Sequence, residues 1–257
     1  MGNALSIYEQ PLNERVRALL RLEFLFEQAD YLMSGNNAWD SRATLNTLIE
    51  VMALMGRADL KTEIIKELER QGALLEPLYD KQGVDNERLD DIMGSIRQLL
   101  VELRSPEGTA GQEFRNNELI AAVKQRASMP AGTLSFDIPM YQYWLERAPD
   151  ERRDELEAWF QPFEPVKRGV NLCLTLIRQS SNGRRETAVN GFFQQSLDAG
   201  VSCQMVRVLV DSDAGCFPEV SGGRHRFTVR FMELPVSAGR PAQAGRDIDF
   251  ELQCCVI

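Results

Sequence analysis

The stretch "GGRHRFTVRF", residues 222–231, holds three arginines and the only histidine of a 257-residue chain whose formal net charge is -9. Read as a strand, it sends Phe227, Val229 and Phe231 to one face and Arg226, Thr228 and Arg230 to the other, because side chains alternate along extended backbone. The apolar face anchors a core. The opposite face presents guanidinium groups, which bind carboxylates or phosphates through charge-assisted, often bidentate, hydrogen bonds. Two uses fit this pattern. The arginines reach an external anion, or they pair across strands with Asp247, Asp249 or Glu251, an arrangement worth roughly 0.2–1 kcal/mol when exposed. His225 is likewise either a ligand contact or an ordinary surface residue. A second basic set lies in "NERVRALLRLEF", where Arg17 and Arg21 stand four residues apart on one helical face, opposed only in part by Glu14. Arg57 and Lys61 mark the entrance to another helix, and Arg168, Arg184 and Arg185 add charge further along.

The groups that catalysis needs are sparse. A single histidine gives no two-histidine metal site and no histidine acid–base pair. Neither GxGxxG nor GxxxxGK[ST] occurs, and no GxSxG elbow holds a serine nucleophile. Asp247, Asp249 and Glu251 alternate with apolar residues, as the outer face of a strand does. The five cysteines, Cys173, Cys203, Cys216, Cys254 and Cys255, form no CxxC pair and read as reduced residues. This inventory argues for a binding protein, with no enzyme activity, cofactor or metal expected.

The elements that must carry these residues change character along the chain. From Asp85 to Arg104, Leu89, Ile92, Met93, Ile96, Leu99, Leu100 and Leu103 recur at the spacing of one helical face. Similar stripes predict a helix from just after Pro11 through Phe26, one around Leu45–Met52, and one around Leu60–Leu68 with Asp59 as N-cap and a stop near Gly72. Further helices are expected at 117–127, 150–160 and from Pro165 through Ile177. The stretch "AGTLSFDIPMYQYWL", with its Gly, Pro and β-favouring residues, reads as extended. After about Arg178 the period becomes two: "CQMVRVLVD", "RFTVRFM" and "DIDFELQC" read as antiparallel strands of a sheet or small sandwich. The expected fold class is therefore α+β, with a mainly helical domain over 1–178, whose segment near 129–146 packs with the β domain, and a β-rich domain over 179–257.

Charge follows the same division. Residues 166–257 hold 11 Lys+Arg against 9 Asp+Glu, leaving 18 against 29 for the rest, so the acidity belongs to the helical part. The hydrophobic share is 44% and the charged share 26%, ordinary for a globular chain. No apolar run approaches the roughly 20 residues of a membrane helix. The start "MGNALSIYEQPLNE" lacks the basic and apolar segments of a secretory signal, which points to the cytoplasm.

On these residues the sequence resembles the ZapD family of Z-ring-associated cell-division proteins. The matching stretches run in order from near residue 11 to residue 255: "PLNERVRALLRLEFL", "LKTEIIKELER", "VKQRASMPAGTLSFDIP", "LIRQSS", "NGFFQ", "FPEVSGGRHRFTVRFM" and "DFELQCC". The resemblance implies a helical domain joined to a β-rich one, a homodimer, and binding of the C-terminal tail of FtsZ, which cross-links filaments into bundles at the midcell division site. FtsZ-type tails are short, flexible and both acidic and apolar, so an arginine-lined cleft beside apolar side chains suits them. Arg17, Arg21, Arg57 and Arg226 are the expected main tail contacts, with Arg224, His225 and Arg126 secondary. The alternative reading is a nucleic-acid-binding regulator using the arginine-rich strand, disfavoured by the acidic total and the lack of a nucleic-acid motif. The expected partners are FtsZ and a second copy of the chain, with neither nucleic acid nor membrane.

Overall fold

The computed structural model describes residues 4–256 apart from 57–59, 106–113, 115–116, 198–199, 201, 224 and 236–238. The chain is α+β: after one opening strand, helices fill the N-terminal part and antiparallel strands the C-terminal part, where the period of the sequence changes. Contacts divide it into two compact units, Met1–Arg17 with Leu174–Ile257, and Ala18–Cys173. The division falls within two helices, α1 (Glu14–Met33) and α8 (Glu164–Gln179).

The helical unit also holds α2 (Ala38–Met55), α3 (Leu60–Leu75), α4 (Asn86–Arg104), α5 (Glu118–Arg126), α6 (Pro139–Leu145) and α7 (Pro149–Phe160). The stripes read from the sequence are its core. Leu45 and Leu48 of α2, Ile64 and Leu68 of α3, and Ile96 and Leu103 of α4 are all buried. Side-chain caps fix several starts: Asp85 accepts from the Arg88 N–H at 3.1 Å, and Asn117 accepts from the Ile120 N–H at 3.0 Å. Helix α3 runs past its expected stop. Gly72 is buried inside it, and a methyl there would touch Ile96 at an ordinary 3.7 Å, so packing on α4 carries the helix through.

The reading of "AGTLSFDIPMYQYWL" as extended is corrected. Turns at residues 127–137 lead into α6, and the whole stretch belongs to the helical unit. Pro139 opens that helix at a position where its missing N–H costs nothing. Tyr141, Trp144 and Leu145 then fall on one buried side, so helical spacing overrides the β preference of individual aromatics.

The β-rich unit is built from two antiparallel sheets. One has the order β1 (Leu5–Pro11), β4 (Cys203–Asp211), β8 (Ile248–Val256), β2 (Arg184–Ala188). The other runs β3 (Phe192–Ser196), β6 (Arg226–Glu233), β5 (Phe217–Gly222), with the short β7 (Ala242–Gln243) pairing β6. Their inner faces share one core, in which Val206, Val208, Val210, Phe250 and Leu252 meet Phe227, Val229 and Phe231. The boundary expected at 178 thus misses a strand: residues 5–11 open the chain but pair with β4 from Leu5↔Asp211 to Pro11↔Met205.

Candidate anion-binding site

Strand β6 follows the alternation that its sequence requires. Phe227, Val229 and Phe231 are each 0% exposed, and Arg226 and Arg230 are exposed. Neighbouring backbone fixes the start of the strand. Phe227 pairs with Gly222 of β5, and Arg226 pairs with Ser196 of β3. The Arg226 carbonyl accepts from the Gly223 N–H at 3.0 Å, and the His225 carbonyl accepts from the Leu197 N–H at 2.8 Å. Both main chains are held while both side chains point into solvent. An open groove of about 450 Å³ lies there, lined by Gln194, Ser221, Gly222, Gly223, His225, Arg226, Phe227 and Thr228, none of them acidic. A guanidinium, an imidazole, hydroxyls and an amide there can hold a peptide carboxylate through charge-assisted and neutral hydrogen bonds.

The cross-strand pairing that competes with this use does not form. Asp249 and Glu251 belong to the other sheet, and each of the three acids has a different partner. Asp247 accepts from the Asn190 N–H at 2.8 Å, Asp249 from the Thr187 hydroxyl at 2.7 Å, and Glu251 from the Gln253 amide at 2.9 Å. Arg226 makes no ion pair with an acid among the described residues. Arg230 faces Glu219 in register, one strand away.

Arg17 lies in the same unit, on the first turn of α1. Asn13 caps that turn by accepting from the Val16 N–H at 2.9 Å, and its own amide donates to Gln204 Oε1 at 2.8 Å. Leu12 reaches Gly222, where an added Cβ would sit 2.9 Å from Leu12 Cδ2. The start of α1 is therefore anchored to the sandwich beside the end of β5. Arg17 Nη1 donates to Glu14 Oε1 at 2.7 Å, an exposed pair three residues apart and so easily exchanged for another anion.

The other expected contacts fare differently. Arg21 is exposed one turn further along α1. Arg126 belongs to the helical unit and donates to Asp137 Oδ1 at 2.6 Å, which uses much of its charge locally. Arg57 and Arg224 lie outside the described residues. Arg184 pairs with Glu186 at 2.8 Å, and Arg168 pairs with Glu102.

One charged group went unread in the sequence. Glu9 of β1 accepts from Arg178 at 2.8 and 2.9 Å and from Arg207 at 2.8 Å, and Arg207 also donates to Gln253 at 2.6 Å. Burial raises the Glu9 pKa, but the two guanidinium groups outweigh it and hold the carboxyl below its ordinary value. Two cations of the slightly basic C-terminal part are thus spent inside the fold. The available signal was the alternation of Leu5, Ile7 and Glu9 with Ser6 and Tyr8, which marks a strand. Among the described residues no group of three or more His, Cys, Asp or Glu is placed to hold a metal ion, and no helix is long and apolar enough to cross a membrane.

A helical unit joined to an antiparallel sandwich whose outward strand face carries Arg226, in no ion pair among the described residues, defines an α+β protein with a basic surface groove. The ZapD family model, described as a cell division protein, matches residues 20–230. Over 251 residues the chain is 42% identical to the cell division protein ZapD of Methylococcus capsulatus, covering 98% of each chain. It is 38% identical to that of Dechloromonas aromatica over 96% of this chain and 98% of that one, and 36% identical to that of Nitrosomonas europaea over 96% and 94%. The chain belongs to the ZapD family of cell-division proteins.

Proposed function

We propose that this protein binds the acidic C-terminal tail of FtsZ through the groove beside Arg226 and, as a homodimer, cross-links FtsZ filaments at the division site. The observation that carries this reading is the state of Arg226 and His225: exposed, backbone-fixed, in a groove whose described lining residues include no acid. Family membership supplies the division context, and the charge pattern supplies the mode. A carboxylate entering the groove gains charge-assisted hydrogen bonds without first displacing an internal acid from Arg226. Arg17 joins from the same unit after releasing Glu14, a loss of well under 1 kcal/mol at roughly typical exposed-pair values. Arg21 and Arg57 are further expected main contacts in this reading, with Arg224, His225 and Arg126 secondary.

The test is titration of a fluorescent FtsZ tail peptide into the full-length protein and its Arg226→Glu and Arg17→Glu variants. Both reversals are expected to weaken binding, Arg226→Glu the more strongly, and added salt is expected to weaken the wild type. Unchanged affinity in both variants would overturn the assignment of the groove.

A further inference from the structure

The sandwich contains a pair of thiols that tail binding does not use. Cys203 opens β4 and Cys254 lies near the end of β8, on neighbouring strands of one sheet. The register pairs Val206 with Cys254 and Cys203 with Val256, and shifts between Cys203 and Met205. Cys203 and Cys254 are therefore diagonal neighbours on the core-facing side, where both pack, half-buried, against the apolar cluster. Cys203 Sγ donates to the Met205 carbonyl at 3.5 Å. Cys255 follows Cys254 directly but, by strand alternation, lies on the opposite face of the sheet: it pairs with Met205 and is 0% exposed.

We propose that Cys203 and Cys254 form an oxidisable pair that closes to an intramolecular disulfide between β4 and β8 on meeting a small-molecule disulfide. The neighbouring Cys203 and the Arg184 guanidinium hold the Cys254 thiol below its ordinary value, against the effect of burial. The neighbouring Cys254, together with burial, pushes Cys203 up. Arg184, opposite Leu252 on β2, stands one diagonal step from Cys254 and favours its thiolate, so Cys254 attacks first. The Cys254 thiolate attacks one sulfur of the reagent, forming a mixed disulfide and releasing the other half as a thiolate, which takes up a proton. Cys203 then gives up its proton and attacks Cys254 Sγ, expelling the second half. Two protein thiols and one reagent disulfide become one protein disulfide and two reagent thiols.

The position gives the bond a consequence. Strand β2 pairs with β8 only from Ile248 to Leu252, so Gln253–Val256 is laddered to β4 alone. A bridge at Cys254 ties down this end of β8, whose ladder among the described residues runs to β4 alone.

The test is incubation of the full chain with glutathione disulfide, followed by intact mass, peptide mapping with fragmentation, and amide exchange. The wild type is expected to lose the mass of two hydrogen atoms, retain no glutathione, link Cys203 to Cys254, and slow exchange at Gln253–Val256. Cys203→Ser, which lacks the resolving thiol, is expected to accumulate glutathione on Cys254. Wild-type protein that keeps glutathione on Cys254, links through Cys255 or Cys216, joins only between chains or does not react overturns the proposal. Wild-type mapping decides alone if the serine variant does not fold.

Discussion

At the scale of single residues, the same side chain has two fates in this protein, set by whether an acid is built beside it. Arg178 and Arg207 hold a half-buried carboxylate, whereas Arg226 stands exposed with no described acid paired to it. The first kind supports the fold. Glu9→Gln keeps the shape but leaves two guanidinium groups facing a neutral amide, and is expected to cost about 2 kcal/mol of unfolding free energy in denaturant titration. The pH dependence has a definite sign. The folded Glu9 carboxyl titrates below its unfolded value of about 4.3, so its contribution is fully present above that pH and is lost as pH falls through the lower folded value. Melting temperature should therefore drop more steeply in the wild type than in Glu9→Gln below about pH 4.3. Arg226 is of the second kind. Arg226→Ala is expected to leave the melting temperature nearly unchanged and to weaken tail-peptide binding about tenfold, the effect of roughly one charge-assisted hydrogen bond. Arg226→Lys should recover only part of that loss, because an ammonium cannot match a carboxylate with two parallel donors.

At the scale of elements, the link between the two sheets is a turn with little freedom. Asn190 and Gly191 join β2 of one sheet to β3 of the other with φ of 48° and 73°. Both angles are positive, as a tight hairpin turn of this kind requires, and Asn-Gly is the pair that best tolerates them. A Cβ on Gly191 would also lie 2.6 Å from the Ala244 carbonyl oxygen. Gly191→Ala should cost about 1–3 kcal/mol from backbone conformation and crowding together, measured by denaturant titration, whereas the exposed Gly223, with nothing within 4 Å of an added Cβ, should accept alanine at little cost. Long periodic elements were legible in the sequence: α4 and β4 occupy the residues that their apolar spacing marks, because one buried face dictates the pattern. Short or interrupted elements were not. Segment 139–145 carries β-favouring aromatics but is only two turns of helix, ordered by packing within its unit, and Leu5–Pro11 is a strand only because a partner some 200 residues away pairs with it. The candidate site was half legible for the same reason. Alternation placed Arg226 outward, but only topology shows that Asp249 and Glu251 belong to the other sheet.

At the scale of the whole molecule, the proposed activity makes a demand that one copy of the groove does not meet. A particle with one tail site decorates a filament, and only one with at least two sites can bridge a pair. Symmetric pairing of two chains duplicates the groove, and once one tail is held, the next binds at a raised effective concentration on a filament that displays many. The sign of the charge fits this arrangement. The net charge of -9 discourages indiscriminate association with other acidic surfaces, so capture depends on the local basic groove and should be sensitive to salt. Low-speed co-pelleting with GTP-assembled FtsZ is therefore expected to show bundles with full-length FtsZ, few with FtsZ lacking its tail, and fewer as salt rises. Sedimentation of the protein alone should give a dimer. A variant such as Arg226→Glu should remain dimeric yet fail to bundle, which separates loss of the groove from loss of pairing. A strictly monomeric protein that still bundled would place two tail sites on one chain, and the groove beside Arg226 could then be only one of them.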